Sequence, residues 1–222
     1  QRRVVSATTP EDVVIRTAVD ADWTAMYRLE ATAFGRYMSA ESVVVWRART
    51  PPDAAVVACA GAEVVGYVTY SDYSLTVPGG AVLPLAGLTS VAVAPTHRRR
   101  GVLTAMLAEV HRRIERAGYP LAGLTASEGA IYGRFGYGPA TVAMSWAVQR
   151  RVARFRSDVP DPVGVQLVSA QEHRPELVDV YERWRLVTPG GLYTPPQLWD
   201  EILADREDSR RGASAFFTML HP

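Results

Sequence analysis

The stretch LTSVAVAPTHRRRGVLTAM, residues 88–106, decides the fold. Its first half is mostly apolar and ends at Pro95, which indicates a buried strand. After Gly101 the chain becomes amphipathic, because Leu103, Met106 and Val110 recur at helical spacing. Residues 97–101, between strand and helix, are called the arginine loop. The order of strand, tight loop and helix predicts an α/β (α+β) fold with a crossover helix.

The arginine loop is suited to a phosphorylated ligand. A helix start presents unpaired N–H groups and about half a unit of positive charge, which attract phosphate. Glycine lets a ligand approach the backbone, and arginine matches phosphate geometry. Three consecutive arginines also occur on solvated faces and in nucleic-acid contacts. The formal charge of only +1 favours a small phosphorylated ligand over nucleic acid.

The composition excludes several kinds of chemistry. All 24 basic side chains are arginine, and the chain has neither lysine nor asparagine. Schiff-base catalysis and a P-loop both need a lysine, and a Rossmann site needs a Gly-x-Gly-x-x-Gly that is missing. One cysteine, Cys59, cannot form an internal disulfide, and neither cysteine nor histidine spacing predicts a metal site. Without a long apolar run or an apolar start, we expect a cytoplasmic protein with no membrane partner.

The same patterns predict a central sheet of mixed strand direction around this stretch. The predicted elements are a strand at 13–15, a helix capped by Asp20, a helix from Ser39 through Trp46, a hairpin of 55–60 with 64–70, a hairpin around 78–80 with its return strand near 82–85, a separate strand at 87–93, a helix ended by Gly118, a strand at 121–125, helical turns at 128–135 and an alternating strand at 142–148.

A change of composition divides the chain. We predict a first domain at residues 1–150, a charged and proline-rich linker at 151–162, and the start of a second domain at 163–222. The last part contains two predicted helices and two predicted strands, which bury too little surface for a complete domain. We therefore expect the chain to be incomplete.

Several motifs resemble one known family. Arg98-x-x-Gly101 after an apolar strand resembles the acetyl-CoA signature of the GNAT N-acetyltransferases, although Leu103 stands where that signature has glycine or alanine. Residues 91–101 and 126–139 are more specific and are similar to the Eis (enhanced intracellular survival) branch. Residues 189–192 and 220–222 are similar as well, so the resemblance covers nearly the whole chain.

The resemblance implies a GNAT fold followed by a second GNAT-like domain. It also implies transfer of an acetyl group from acetyl-CoA to a primary amine, either an aminoglycoside or a lysine side chain, by a homo-hexamer. No metal and no nucleic-acid partner are expected. Two other classes stay open, a non-catalytic acyl-CoA-binding or regulatory module and a nucleic-acid binder.

The resemblance also implies roles for individual residues. Tyr132 matches the family's general acid, although its helical spacing from Phe135 is equally that of a core residue. The acceptor side is expected at Phe34, Arg36 and Trp46, where Phe34 and Trp46 are equally suited to the core. The expected cofactor-binding residues are Val91, Ala92, Val93, Arg98, Arg99, Arg100, Gly101, Val102, Leu103, Thr104, Ser127 and Glu128.

The general base is not found among these residues. The strand before the loop contains no carboxylate, and none of the four histidines is a good candidate, since His111 is expected on the solvated side of its helix. In the Eis family the C-terminal carboxylate of a third domain is the base. The resemblance therefore implies that the base lies beyond Pro222.

Overall fold

The structure is a computed structural model that describes residues 12–35, 39–141, 144, 149, 151–154, 156–160, 164–204 and 218–220. Its strands are β1 (Val13–Thr17), β2 (Ala55–Ala60), β3 (Glu63–Thr76), β4 (Val82–Val93), β5 (Leu121–Leu124), β6 (Gln166–Val168) and β7 (Thr218–Leu220). Its α-helices are α1 (Trp23–Phe34), α2 (Ala40–Arg49), α3 (Val102–Arg116), α4 (Arg174–Val187) and α5 (Pro196–Leu203). Short 3-10 turns occur at Gly129–Ile131 and Gly133–Phe135, within the predicted helical turns.

The central sheet has five strands in the order β1-β2-β3-β4-β5. Neighbours are antiparallel from β1 to β4, whereas β5 lies parallel to β4. Helix α3 connects these two parallel strands, as a parallel pair requires a crossover connection. The predicted sheet of mixed direction with a crossover helix is therefore confirmed. Strands β6 and β7 form a separate antiparallel pair.

Alternating side chains of the strands fill two cores, one on each face of the sheet. In β2, Val56 and Ala58 belong to the core that includes Met106 and Val110 of α3. Val57 and Cys59 belong to the core that includes Met26 of α1 and Trp46 of α2. Because successive side chains of a strand point to opposite faces, one apolar strand serves both cores.

Helix starts agree with the sequence at α2 and differ at α1. The Ser39 hydroxyl accepts a hydrogen bond from the Ser42 N–H at 3.2 Å, as an N-cap should. Asp20 was expected to cap α1 but instead pairs with Arg47. Asp22 accepts from the Val19 N–H at 2.7 Å and pairs with Arg16. The Arg16 hydrogen bond holds the pKa of Asp22 below its usual value.

Strand β4 is one long strand, not the two separate strands that the sequence predicted. Its pairing with β3 extends from Thr76↔Val82 to Gly66↔Val93. The register shifts between Tyr67 and Thr69, where β4 contributes an extra residue. Ser90 lies at this β-bulge with φ +52°, a left-handed value that non-glycine residues rarely adopt. The prediction was wrong because apolar pattern alone does not show where a long hairpin continues.

The chain after the linker contacts the end of β3. The Thr76 N–H donates to the Gly191 carbonyl at 2.9 Å, the Gly190 N–H donates to the Thr76 carbonyl at 2.8 Å, and the Tyr193 N–H donates to the Ser74 carbonyl at 2.8 Å. Residues 190–193 thus extend the far end of the sheet. The division into two domains stays a prediction. The predicted strand at 142–148 lies, apart from Met144, outside the described residues.

Candidate active site

A cleft of about 1430 Å³ opens where β4 and β5 separate. The two strands pair only from Leu85↔Leu121 to Leu88↔Leu124. Beyond Leu88, β4 continues to Val93 while β5 ends at Leu124. The edge of β4 from Thr89 to Val93 therefore faces the cleft instead of a neighbouring strand. Such an edge offers backbone N–H and C=O groups to a ligand.

The predicted cofactor-binding residues lie along this cleft, with one exception. The residues that line it are Val91, Ala92, Val93, Arg98, Arg99, Gly101, Val102, Leu103, Thr104, Ser127 and Glu128. Arg100 does not line the cleft and is exposed. Contact of Arg100 with a ligand therefore stays a prediction. We call residues 88–104 the cofactor wall.

The arginine loop has the backbone conformation of an anion-binding turn. Arg99 has φ +61° and Gly101 has φ +84°. A left-handed arginine costs roughly 1–2 kcal/mol, and strain of this kind is typical of functional loops. Gly101 is the N-cap of α3 and no side chain caps this helix start. Its first N–H groups and the Arg98 and Arg99 guanidinium groups can therefore hold a pyrophosphate.

Tyr132 lies half-buried in the wall of the cleft. Burial, followed by the negative charge of Glu128, raises its pKa. Its ring packs edge-on against Tyr137 at 6.0 Å between centroids. The Tyr137 hydroxyl in turn lies 2.9 Å from Nε2 of His111. Tyr132 therefore has a rigid aromatic support and keeps its proton at neutral pH.

His111 is not on the solvated side of α3, as the sequence had suggested. It is half-buried against Tyr137, with ring centroids 5.6 Å apart. Burial lowers its pKa, so the ring is neutral near pH 7. The helical stripe misplaced this residue because Tyr137, 26 positions later, covers that side of the helix.

The opposite wall of the cleft is assembled from distant parts of the chain. We call it the acceptor wall. It consists of one face of α1, the end of β3 and the segment after α4, with Glu30, Ala33, Phe34, Tyr73, Leu75, Thr76, Pro189, Gly190 and Leu192. Phe34 is 41% exposed and lines the cleft, and its role toward the acceptor stays a prediction. Arg36 lies outside the described residues.

Trp46 does not reach the acceptor wall. Only 3% of it is exposed, and its ring lies 5.3 Å from Trp23 and 5.9 Å from Tyr67 in the core beneath α1 and α2. The assignment of Trp46 to substrate binding is therefore wrong. An aromatic side chain near a predicted site is equally suited to the core and to a substrate-binding wall, and its burial in the structure decides between the two.

Sequence reasoning missed Glu30. The apolar stripe of α1 contains Trp23, Met26, Tyr27 and Phe34, and Glu30 occupies the helical position between the last two. Glu30 is only 6% exposed and accepts a hydrogen bond from the Tyr67 hydroxyl. A charged residue within an apolar stripe was the available signal, since carboxylates are almost never buried without a partner.

Within the described residues, no group of three or more histidine, cysteine, aspartate or glutamate side chains is arranged to hold a metal ion. Of the helices in that same part of the chain, none combines the length and apolarity that crossing a bilayer requires.

Comparison with known proteins identifies the fold family. The acetyltransferase (GNAT) domain matches residues 14–140. N-acetyltransferase Eis of Mycobacterium tuberculosis (strain ATCC 25177 / H37Ra) is 51% identical over 218 residues, which are 95% of this chain and 54% of that protein. An uncharacterized N-acetyltransferase of Streptomyces avermitilis is 39% identical over 206 residues, which are 90% of this chain and 49% of that protein.

The structure is similar to a solved relative. Eis1 from Mycobacterium abscessus superposes with a TM-score of 0.75 at 30% identity, covering 95% of this chain and 51% of that one. The chain spans about half the length of the curated relatives it matches. These matches confirm the resemblance to the Eis branch that the motifs indicated, and the chain belongs to the GNAT acetyltransferase family.

Proposed function

We propose that this chain carries the acetyl-CoA-binding and transfer site of an enzyme that acetylates primary amines. The observation that carries the proposal is the position of Tyr132. It lines the same cleft as the open edge of β4 and the arginine loop. A binding surface for a pyrophosphate and a half-buried proton donor are thus combined in one site.

The residues of the cofactor wall fit acetyl-CoA. The start of α3 and the Arg98 and Arg99 side chains suit the pyrophosphate. The open backbone of Val91–Val93 suits the amide groups of the pantetheine arm, which can bind as an added strand does. Ser127 and Glu128 face the cleft from the opposite strand end. The chemistry that acetyl-CoA supplies is a thioester carbonyl open to attack by an amine.

Tyr132 is the proposed donor toward the departing sulfur. A phenol with a pKa above ~10 is a weaker acid than a thiol at ~8.5, and burial of Tyr132 raises its pKa further. Complete proton transfer to the sulfur is therefore uphill. The Tyr132 hydroxyl donates a hydrogen bond to the sulfur while negative charge develops there. It also passes its proton to the sulfur as the new amide nitrogen loses its surplus proton.

The acceptor is proposed from the family. The names of the relatives support an N-acetyltransferase, and an aminoglycoside or a lysine side chain is the proposed amine. The hexamer, the cytoplasmic location and the two-domain division that the sequence analysis expected stay predictions.

Calorimetry with acetyl-CoA, followed by a thiol-release assay over a panel of amines, tests the proposal in the intact protein. We expect acetyl-CoA to bind and CoA to be released only when a primary amine is present. Binding without release would support the non-catalytic module instead. Absence of binding, together with DNA affinity that falls steeply with salt, would favour the nucleic-acid binder.

A further inference from the structure

Tyr132 lies in a part of the chain whose backbone gives little support. Four glycines interrupt residues 129–138, and a Cβ at any of them would meet no atom within 4 Å. Glycine leaves the backbone its conformational freedom, and the chain here forms only two short 3-10 turns. A proton donor, however, loses much of its effect when it is displaced by about 1 Å. A side-chain contact is therefore needed to fix the Tyr132 ring.

Tyr137 supplies that contact. Its ring meets the Tyr132 ring edge-on, with the centroids 6.0 Å apart and the ring planes at 77°. Its backbone N–H also donates to the Tyr132 carbonyl at 3.4 Å. An edge-on contact fixes the orientation of one aromatic ring relative to the other. In the described part of the chain, the cleft is lined by Tyr132 but not by Tyr137, so Tyr137 can act on the chemistry only through Tyr132.

His111 ties Tyr137 to helix α3. The Tyr137 hydroxyl lies 2.9 Å from Nε2 of His111, and the two ring centroids are 5.6 Å apart. Burial lowers the pKa of His111, whereas burial and the nearby Tyr132 raise the pKa of Tyr137. Both side chains are therefore neutral near pH 7, and a single hydrogen bond joins them.

Helix α3 is a rigid anchor for this bond. Its residues Met106, Leu107 and Val110 are fully buried in the core on this face of the sheet. Tyr132 and Tyr137 pack against the same core. Side chains held by a packed helix are placed more precisely than side chains held by a loop. Because α3 also begins at the arginine loop, a contact from this helix fixes Tyr132 relative to the proposed pyrophosphate site.

We propose that His111 and Tyr137 are positioning residues that hold the Tyr132 hydroxyl toward the thioester of acetyl-CoA; this inference rests on the proposed function. Without the bond between His111 and Tyr137, the Tyr137 ring is free to turn and the Tyr132 ring loses its fixed neighbour. The start of α3 and the open edge of β4 are unchanged. Loss of the bond therefore lowers kcat and leaves the affinity for acetyl-CoA as it was.

Three variants of the intact protein test the bond. Tyr137→Phe removes only the hydroxyl, and we expect kcat to fall about tenfold while the Kd of acetyl-CoA changes less than about twofold. His111→Leu should have the same effect. His111→Gln places an amide, which can donate or accept, near the position of Nε2, and should restore kcat to within about threefold of the unmodified protein. A thiol-release assay with an amine from the panel gives kcat, and calorimetry gives Kd.

Tyr119→Phe is the matched control. Tyr119 meets Tyr70 edge-on at 6.1 Å between centroids, and its hydroxyl donates to Asp72. This pair packs against the same core as Tyr132 and Tyr137, yet none of the three residues is among the described ones that line the cleft. Tyr119→Phe thus removes an equivalent hydroxyl from an equivalent pair. We expect a similar small fall in Tm and an unchanged kcat.

A double variant separates positioning from a general loss of stability. The orientation of the Tyr132 ring matters to the rate only while that ring has a hydroxyl. In the Tyr132→Phe background, we therefore expect Tyr137→Phe to lower the remaining rate less than about twofold, because mutations that remove the same interaction are not additive.

The outcomes are distinct. The positioning role is overturned if Tyr137→Phe costs no more kcat than Tyr119→Phe, if its loss multiplies with that of Tyr132→Phe, or if His111→Gln is as slow as His111→Leu. Each of these results leaves the proposed function intact. If His111→Leu does not fold, the comparison of Tyr137→Phe with Tyr119→Phe decides. If the unmodified protein binds acetyl-CoA but acetylates no amine in the panel, the proposed function fails and this inference fails with it.

Discussion

The two walls of the cleft are built in different ways. The cofactor wall comes from one continuous stretch, residues 88–104, and presents mainly backbone groups. The acceptor wall is made of residues from α1, β3 and the segment after α4, which are far apart in sequence. A pyrophosphate and a pantetheine arm have fixed chemistry, so one short motif can bind them. Acceptor amines vary, and a wall built from separate elements can change in sequence, element by element, to suit a different acceptor.

Tyr132→Phe gives the largest expected effect, because Tyr132 is the proposed proton donor and belongs to neither the cofactor wall nor the acceptor wall as defined above. We expect the rate of acetyl transfer to fall about 10²–10⁴-fold. The Kd of acetyl-CoA should change less than about twofold, since the phenyl ring still packs against Tyr137. Steady-state kinetics and calorimetry on the intact protein measure both quantities. An unchanged rate would remove Tyr132 from the mechanism.

Arg98→Gln and Arg100→Gln compare two neighbours in the arginine loop. Both side chains are exposed, but Arg98 lines the cleft and its Nε donates to the Val93 carbonyl at 3.3 Å, whereas Arg100 does not line the cleft. Losing a charge-assisted phosphate contact costs about 1.5–3 kcal/mol at most, so we expect the Kd of acetyl-CoA to rise about tenfold in Arg98→Gln. Arg100→Gln should leave it unchanged. Equal effects would mean that the loop acts through its overall charge rather than its shape.

Gly191→Ala tests whether the acceptor wall depends on the distant segment. A Cβ at Gly191 would lie 2.3 Å from the Arg185 carbonyl oxygen, which is backbone and cannot move aside cheaply. The segment bonded to Thr76 must then shift. We expect the KM for the acceptor to rise a few-fold and the Kd of acetyl-CoA to stay constant. Gly138→Ala, which would meet no atom within 4 Å, is the matched control. A change in acetyl-CoA affinity alone would show that the two walls are not independent.

The residues that the sequence assigned to cofactor binding lie, except Arg100, along one cleft, because strand, loop and helix start are contiguous and their local signals agree. The sequence predicted the five strands of the central sheet and the crossover helix for the same reason. It did not show that Arg100, unlike Arg98 and Arg99, lies outside the cleft lining. It also divided β4 in two, because the pairing with β3 that makes it one strand is not local.

Errors were greater where distant elements pack together. Trp46 and His111 were misplaced because the neighbours that bury them, Tyr67 and Tyr137, lie 21 and 26 residues further along the chain. Glu30 was missed because its partner Tyr67 is 37 residues away. In each case the sequence showed the position of the residue on its helix, but it did not show which distant residue packs against it.

By itself the sequence determined the family, the strands and crossover helix of a mixed sheet, the strand–loop–helix stretch of the arginine loop and the absence of lysine chemistry. These follow from local patterns and from composition, which need no knowledge of packing. Only the tertiary structure decided which arginines line the cleft, which aromatic residues are core, and that the buried carboxylate Glu30 lines the same cleft. These features depend on contacts between residues far apart in the chain, which are formed only when the chain is folded.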